Sequence, residues 1–301
     1  MKPHRTMYAR QSKFLVGEMM MKLFITDLDD TLYSWIDFFV PAFYGMVEEL
    51  SRILNKEEAV LLKEYKQVHQ QKGSAEYPYA TLYLPSVIKA YPDDTPEERL
   101  RKLDPVFHRF NSIRKKRLDL YPHVKETLTQ ISQMGIKIVG YTESAEENGF
   151  YRLEKLGIAH LFQHVYVSDS QFERPDYLPS SEKTRVVHGK KPNPTLLRQI
   201  CAQESVPVAE TVYVGDSITK DIYMAKVAGV AAVLCKYPCD SQATNDLYTK
   251  LIAISHWTGE DFQREKEVKQ ICQSNNIRPD YTVDSFEQLI EIIKSLDGMD
   301  S

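Results

Sequence analysis

The chain has 301 residues, 43% of them apolar and 27% charged, enough to bury one large core or two modest ones and too apolar for extensive disorder. Its formal charge of −4, from 38 basic and 42 acidic residues, supplies no global basic field for nucleic acid or an anionic membrane. Four cysteines make no disulfide framework, Cys235 and Cys239 lack a second pair to complete a zinc site, and no apolar run reaches the roughly 18–20 residues of a membrane span. Reduced thiols and a cytoplasmic location are expected.

In chain order, residues 1–20 carry Lys2, Arg5, Arg10 and Lys13 against the single acid Glu18. They read as a loose N-terminal extension with a faint presequence-like bias. Leu23–Thr26 is a short apolar run ending at Asp27, the pattern of a buried strand. Residues 35–120 then read as helices. Phe39, Phe43, Met46, Val47, Leu50 and Leu54 form one apolar stripe; Leu100, Leu103, Val106, Phe107, Phe110 and Ile113 form a second, broken at Pro105. Such stripes are ordinarily core, so the segment reads as a helical subdomain. Between them lies an irregular stretch with Tyr77, Tyr79 and Tyr83, of which at least one is expected to face the site. A helix at 123–134 follows, ended by Gly135, and then a strand at 136–141. Further strands are expected at 161–167, Thr211–Gly215, 229–235 and Tyr281–Val283, the last leading into an amphipathic helix at 286–296. A polar insertion, 236–278, separates the last two strands. This alternation predicts an α/β fold on a parallel sheet.

The residues with chemical promise sit at strand ends. Asp27-Leu28-Asp29-Asp30-Thr31 leaves the first strand, where open α/β sheets bind ligands. Alternation directs Asp27 and Asp29 to one side and Leu28 to the other. Gly215-Asp216-Ser217 ends another strand, with Asp221 on the helical turn that follows. One Asp-rich turn is ordinarily a cap or a surface loop. Two of them, each after an apolar strand, gather carboxylates that need a cation, and hard oxygen donors suit Mg2+. Thr142 ends the strand 136–141. Lys191 precedes Pro192-Asn193-Pro194, where Asn193 reads as an N-cap and Pro194 as the first helical residue, a setting suited to an anion. Singly, Thr142 is weak evidence and Lys191 an ordinary surface charge; in this order they form a set.

These four segments, with Ala225 and Gly229 after Asp221 and a closing strand and helix from Pro279, resemble the haloacid dehalogenase superfamily of phosphatases. The resemblance implies a Rossmann-like core from 21–34 and 121–301, with residues 35–120 inserted as an α-helical cap. It implies Asp27 as nucleophile and Asp29 as general acid and base. Mg2+ would be held by Asp27, Asp216 and the Asp29 backbone carbonyl, with Asp221 acting through water. Thr142, Lys191 and the backbone N–H groups of Leu28 and Glu143 would hold the phosphoryl oxygens. An acid at Asp29 points to phosphate esters, since the dehalogenating and phosphonate-cleaving relatives lack one there. Two residues depart from the family pattern. Asp30 stands where glycine is usual and is expected to stabilise the turn. Glu143 stands where a small or amide residue is commoner and is expected to point away from the phosphate. The implied partner is a small phosphorylated substrate, with no nucleic acid and no membrane; a homo-oligomer is left open. A nucleotide 5′-phosphatase, a sugar-phosphate mutase and a non-catalytic phosphate sensor are the competing readings.

Overall fold

The computed structural model describes residues 20–77, 79–169, 181–237 and 241–296; residues 1–19, most of the expected extension, and Cys239 lie outside them. Seven strands form one sheet: β1 (Leu23–Thr26), β2 (Lys137–Ala145), β3 (His164–Ser168), β4 (Thr184–Val187), β5 (Thr211–Gly215), β6 (Ala231–Cys235) and β7 (Tyr281–Val283). Their order is β4-β3-β2-β1-β5-β6-β7, every neighbouring pair parallel. The parallel α/β sheet expected from the alternation, and the Rossmann-like core that the resemblance implies, are therefore present. In the central strand, Ile25 pairs with Val139 on one side and Tyr213 on the other. The order switches direction at β1, so the side chains leaving β1, β2 and β5 converge at one carboxyl-end crevice.

Alternation within β1 divides the core. Leu23 and Ile25 pack with Leu197, Ile200 and Ala225 on one face; Phe24 packs with Val124, Leu128 and Phe286 on the other. Each such fully buried large side chain contributes about 1.5–3 kcal/mol of transfer free energy. The outer layers are the helices 124–133 and 146–155 on one side and 194–203 and 223–228 on the other.

The insertion after β1 holds α1 (Trp35–Leu54), α2 (Glu58–Lys72), α3 (Pro85–Ala90), α4 (Pro96–Lys102) and α5 (Asp104–Arg117). Phe39, Phe43, Met46, Val47 and Leu50 of α1 are buried, as their spacing requires. The second stripe breaks at Leu103, and Pro105 sits in the first turn of α5, where its missing N–H costs nothing. The two ends of this insertion are clipped together: Tyr33 bridges Leu120, and Tyr121 N–H donates to the Leu32 carbonyl at 2.9 Å.

After it come α6 (Val124–Gln133), α7 (Glu146–Lys155), α8 (Pro194–Gln203), α9 (Tyr223–Ala228), α10 (Ser241–Ile254), α11 (Gly259–Ser274) and α12 (Leu289–Leu296). The polar 236–278 insertion supplies α10 and α11. It braces the first insertion: Tyr44 Oη, Lys66 Nζ and His69 Nδ1 reach the backbone carbonyls of Lys250, Ile252 and Ile254.

Two sequence expectations change. The strand expected at 136–141 continues as β2 to Ala145, with its pairing to β3 irregular between Tyr141 and Ala145. That extension places Thr142, Glu143 and Ser144 over the crevice. β4 was not expected, because an edge strand of four residues with Arg185 and Val186 exposed has no apolar signature. No helix among the described residues is long and apolar enough to cross a membrane. Cys201, Cys235 and Cys272 are buried free thiols.

Candidate active site

The turn after β1 is held from beneath: Asp27 N–H donates to the Val214 carbonyl of β5 at 2.8 Å. Asp27 Oδ1 accepts from Lys191 Nζ at 2.6 Å, and the same ammonium reaches Asp221 Oδ1 at 2.9 Å. Lys191 is placed by the start of α8, where Asn193 accepts from Leu196 N–H at 3.0 Å and Pro194 opens the helix. Asp221 is almost wholly buried, and it also accepts from Tyr213 Oη at 2.8 Å and from Ser217 N–H at 3.1 Å. Only glycine fits before this turn, since a Cβ on Gly215 would lie 2.4 Å from the Asp221 Cγ.

Asp27, Asp216 and Asp221 each bring an oxygen to within 4.8 Å of the others. Burial, reinforced by Asp221 and Asp216, holds the Asp27 carboxyl well above the usual carboxylate range despite the Lys191 contact. Asp216 stands exposed at the rim of the crevice, and desolvation there, with the charges of Asp221 and Asp30, raises its carboxyl above the usual range. One ammonium does not balance three carboxylates. The donor set is all oxygen, close-packed and short of positive charge, which fits Mg2+. Among the described residues the Leu28 N–H has no acceptor, so it is free to donate towards a phosphoryl oxygen.

Asp29 lies apart from that trio. Its Oδ2 accepts from Ser144 Oγ at 2.8 Å and Thr142 Oγ1 at 3.3 Å, and Arg152 Nη2 lies 3.1 Å from its Oδ1. Its Oδ1 is buried and has no hydrogen bond of good geometry. The carboxylate of Asp29 therefore faces Arg152, and any contribution to a metal falls to its backbone carbonyl. Glu143 is turned to Lys220 Nζ at 2.6 Å and to the Lys191 N–H at 3.1 Å, so its charge is matched within the protein.

A model of the haloacid dehalogenase-like hydrolases matches residues 21–229, which span both insertion ends and all the strand-end motifs. The chain belongs to that family of hydrolases. It is 29% identical over 219 residues to the glyceraldehyde 3-phosphate phosphatase of Methanopyrus kandleri, covering 71% of this chain and 83% of the relative. To the enzyme of the same name from Methanocaldococcus jannaschii it is 24% identical over 283 residues, covering 92% and 99%. In fold it is similar to a 2-haloacid dehalogenase from Pseudomonas syringae pv. tomato, with TM-score 0.52 and 19% identity over 92% of this chain and 99% of that one. The relatives named phosphatases agree with the phosphoric monoester chemistry that an acid at Asp29 calls for.

Asp30, the departure from the family pattern, has a physical reason. Its φ is 58°, a left-handed conformation that aspartate tolerates better than most residues, and its Oδ1 accepts from the Trp35 N–H at 2.8 Å. It thus caps α1. Burial and the neighbouring Asp29 push its carboxyl up to about 7.

Two residues were missed by the sequence reading. Arg152 of α7 is only 2% exposed, and its guanidinium joins Asp29, Ser144 Oγ (2.7 Å), Tyr33 Oη (3.1 Å) and Glu76 (2.5 Å). Glu76, from the stretch after α2, also accepts from Trp35 Nε1 at 2.9 Å and Ser144 Oγ at 3.1 Å. Arg152 carried a usable signal, since it lies on the helix face shared with Gly149, Phe150 and Leu153, where a charge must have partners. Glu76 had none.

Proposed function

We propose that the protein is a Mg2+-dependent phosphatase that hydrolyses a small phosphorylated metabolite through an aspartyl-phosphate on Asp27. The observation that carries this reading is the separation of the two carboxylates of one turn: Asp27 lies on Lys191 beside Asp216 and Asp221, and Asp29 lies on Arg152. Neighbouring carboxylates held by different cations can take different tasks.

Lys191 occupies one oxygen of Asp27, and the other would attack phosphorus in line, forming the acyl phosphate as the bond to the alcohol oxygen breaks. Asp29 would give its proton to that oxygen. It would then take a proton from the water that attacks the same phosphorus, which releases inorganic phosphate and restores Asp27. Thr142, Lys191 and the N–H groups of Leu28 and Glu143 would carry the charge of the phosphoryl oxygens. Mg2+, held by Asp27, Asp216 and the Asp29 carbonyl with Asp221 behind them, would neutralise the carboxylates and the phosphate dianion. The helices α1–α5 would act as a cap that excludes water. The relatives' activity on a phosphorylated triose supports a small substrate. A phosphate sensor would have no use for a leaving-group acid so fully supported as Asp29.

Asp27→Asn keeps shape and removes the nucleophile. Phosphate release from a panel of phosphorylated metabolites should fall at least about a thousandfold with the circular dichroism unchanged; turnover at the wild-type rate would end this reading.

A further inference from the structure

A cavity of about 330 Å³ lies between the helical insertion and α7, walled on the Asp29 side by Arg152 and Glu76. It equals the liquid volume of roughly eleven waters, far more than the alcohol of a two- or three-carbon phosphate needs. Its walls include Phe39, Phe107, Phe110 and Tyr151, with Tyr77 and Tyr79 of the irregular stretch. It adjoins Asp29 through Arg152, which lines the cavity and pairs with that carboxylate.

The two arginines of the cavity differ. The charge of Arg152 is taken up by Asp29 and Glu76. Arg114 of α5 has only neutral acceptors, Asn111 Oδ1 at 2.8 Å and Tyr151 Oη at 3.3 Å. Its guanidinium lies 4.9 Å from the Tyr151 ring centre and 5.6 Å from that of Phe110. No carboxylate of a described residue pairs with it. Two aromatic faces fix the plane of the fork and leave N–H edges for a planar anion. Of the other ionisable wall groups, burial holds His69 neutral, down to about 4, Glu76 is engaged by Arg152, and Glu147 stands on α7 one turn before Tyr151.

We propose that this cavity receives the alcohol portion of the substrate and that Arg114 binds a second anionic group on it, a carboxylate or a second phosphate. The assignment rests on the phosphatase reading and deepens it. It makes the substrate a monoester whose alcohol has an apolar body ending in an anion.

The test uses three aryl phosphates of matched leaving-group reactivity: 3-(4-phosphonooxyphenyl)propionate, its methyl ester, and the analogue with phosphonate in place of the carboxylate. The wild-type protein should favour one or both anionic substrates over the ester by roughly tenfold to a hundredfold in kcat/KM, the range of a hydrogen-bonded charge. Which anion is favoured identifies the source. Arg114→Gln should erase that preference while lowering the rate on the ester less than threefold by estimate, and Arg114→Lys should restore part of it. Equal wild-type rates on all three, a preference that survives Arg114→Gln, or an equal fall on every substrate would overturn the assignment and leave the phosphatase reading standing. Failure to hydrolyse any of the three, or phenyl phosphate, would overturn both.

Discussion

The two halves of the crevice solve their charge problem differently. On the Lys191 side, three carboxylates share one ammonium, and every group comes from the sheet ends or the helices that follow them. On the Arg152 side, two carboxylates share one guanidinium, with Ser144, Thr142 and Tyr33 completing the network, and Glu76 reaches in from the helical insertion. The first half lacks positive charge and calls for an ion from solution. The second pairs its carboxylates with a cation inside the protein, and its link to Glu76 exists only while the insertion is docked. The proposed nucleophile, Asp27, is thus built into the sheet, whereas the support of the proposed acid, Asp29, depends on the helical insertion.

Removing the divalent ion should have the largest effect. Activity should vanish in excess chelator and return with Mg2+, while Ca2+ restores little because its coordination is looser. The trio should also divide. Asp216→Ala should weaken Mg2+ binding in titration calorimetry with little change in folding. Asp221→Ala, which strips a partner from Lys191, Tyr213 and Ser217, should cost roughly 3–5 kcal/mol of stability. Equal effects of the two on folding would erase the distinction between ligand and support.

Lys191→Met tests the single cation of that half. Turnover should fall by roughly a hundredfold to a thousandfold while Mg2+ still binds, because the ammonium on Asp27 is lost and the carboxylates remain. An unchanged rate would make Lys191 a structural lysine.

Glu76→Gln tests the other half more gently. Arg152 keeps Asp29 but loses its anchor in the insertion, so kcat should drop roughly tenfold to a hundredfold on alkyl phosphates. The drop should be much smaller on 4-nitrophenyl phosphate, whose leaving group hardly needs a proton. Equal losses on both substrates would show that Glu76 serves packing alone.

The smallest effect concerns the brace between the insertions. His69 is buried against the Ile254 carbonyl, with Tyr65 and His256 nearby, and burial lowers it from 6.5 to about 4. Below about pH 6.5 the unfolded chain takes up a proton that the folded chain refuses. Stability should therefore fall as pH drops from about 6.5 towards 4, by up to about 3 kcal/mol, and His69 should contribute no slope above that window. Urea unfolding at pH 7 and pH 5 should show a smaller difference in His69→Gln than in the wild type.

The contrast between the halves is also a contrast in legibility. Asp27, Asp216 and Asp221 follow apolar strands, and Lys191 precedes an N-cap and a proline; each signal is weak alone, and their order along the chain made them a set. Residues from one sheet edge converge because the topology forces them to. Arg152 and Glu76 lie 76 positions apart, one on an amphipathic helix and the other in a stretch without a motif. Their pairing depends on how the insertion docks, which no local pattern encodes. The α10 brace was illegible for a related reason: its hydrogen bonds to the first insertion are made by its backbone carbonyls, which are the same for every sequence.

The central claim is that Asp27 carries the phosphoryl group, and acid quenching within the first turnover tests it directly. With Mg2+ and a hydrolysed substrate, peptide mass spectrometry of the wild type should find phosphate on Asp27. More should accumulate in Asp29→Asn when an activated aryl phosphate supplies the group, because the base for hydrolysis is gone. Full phosphate release with an unmodified Asp27 at every quench time, in both proteins, would contradict the claim.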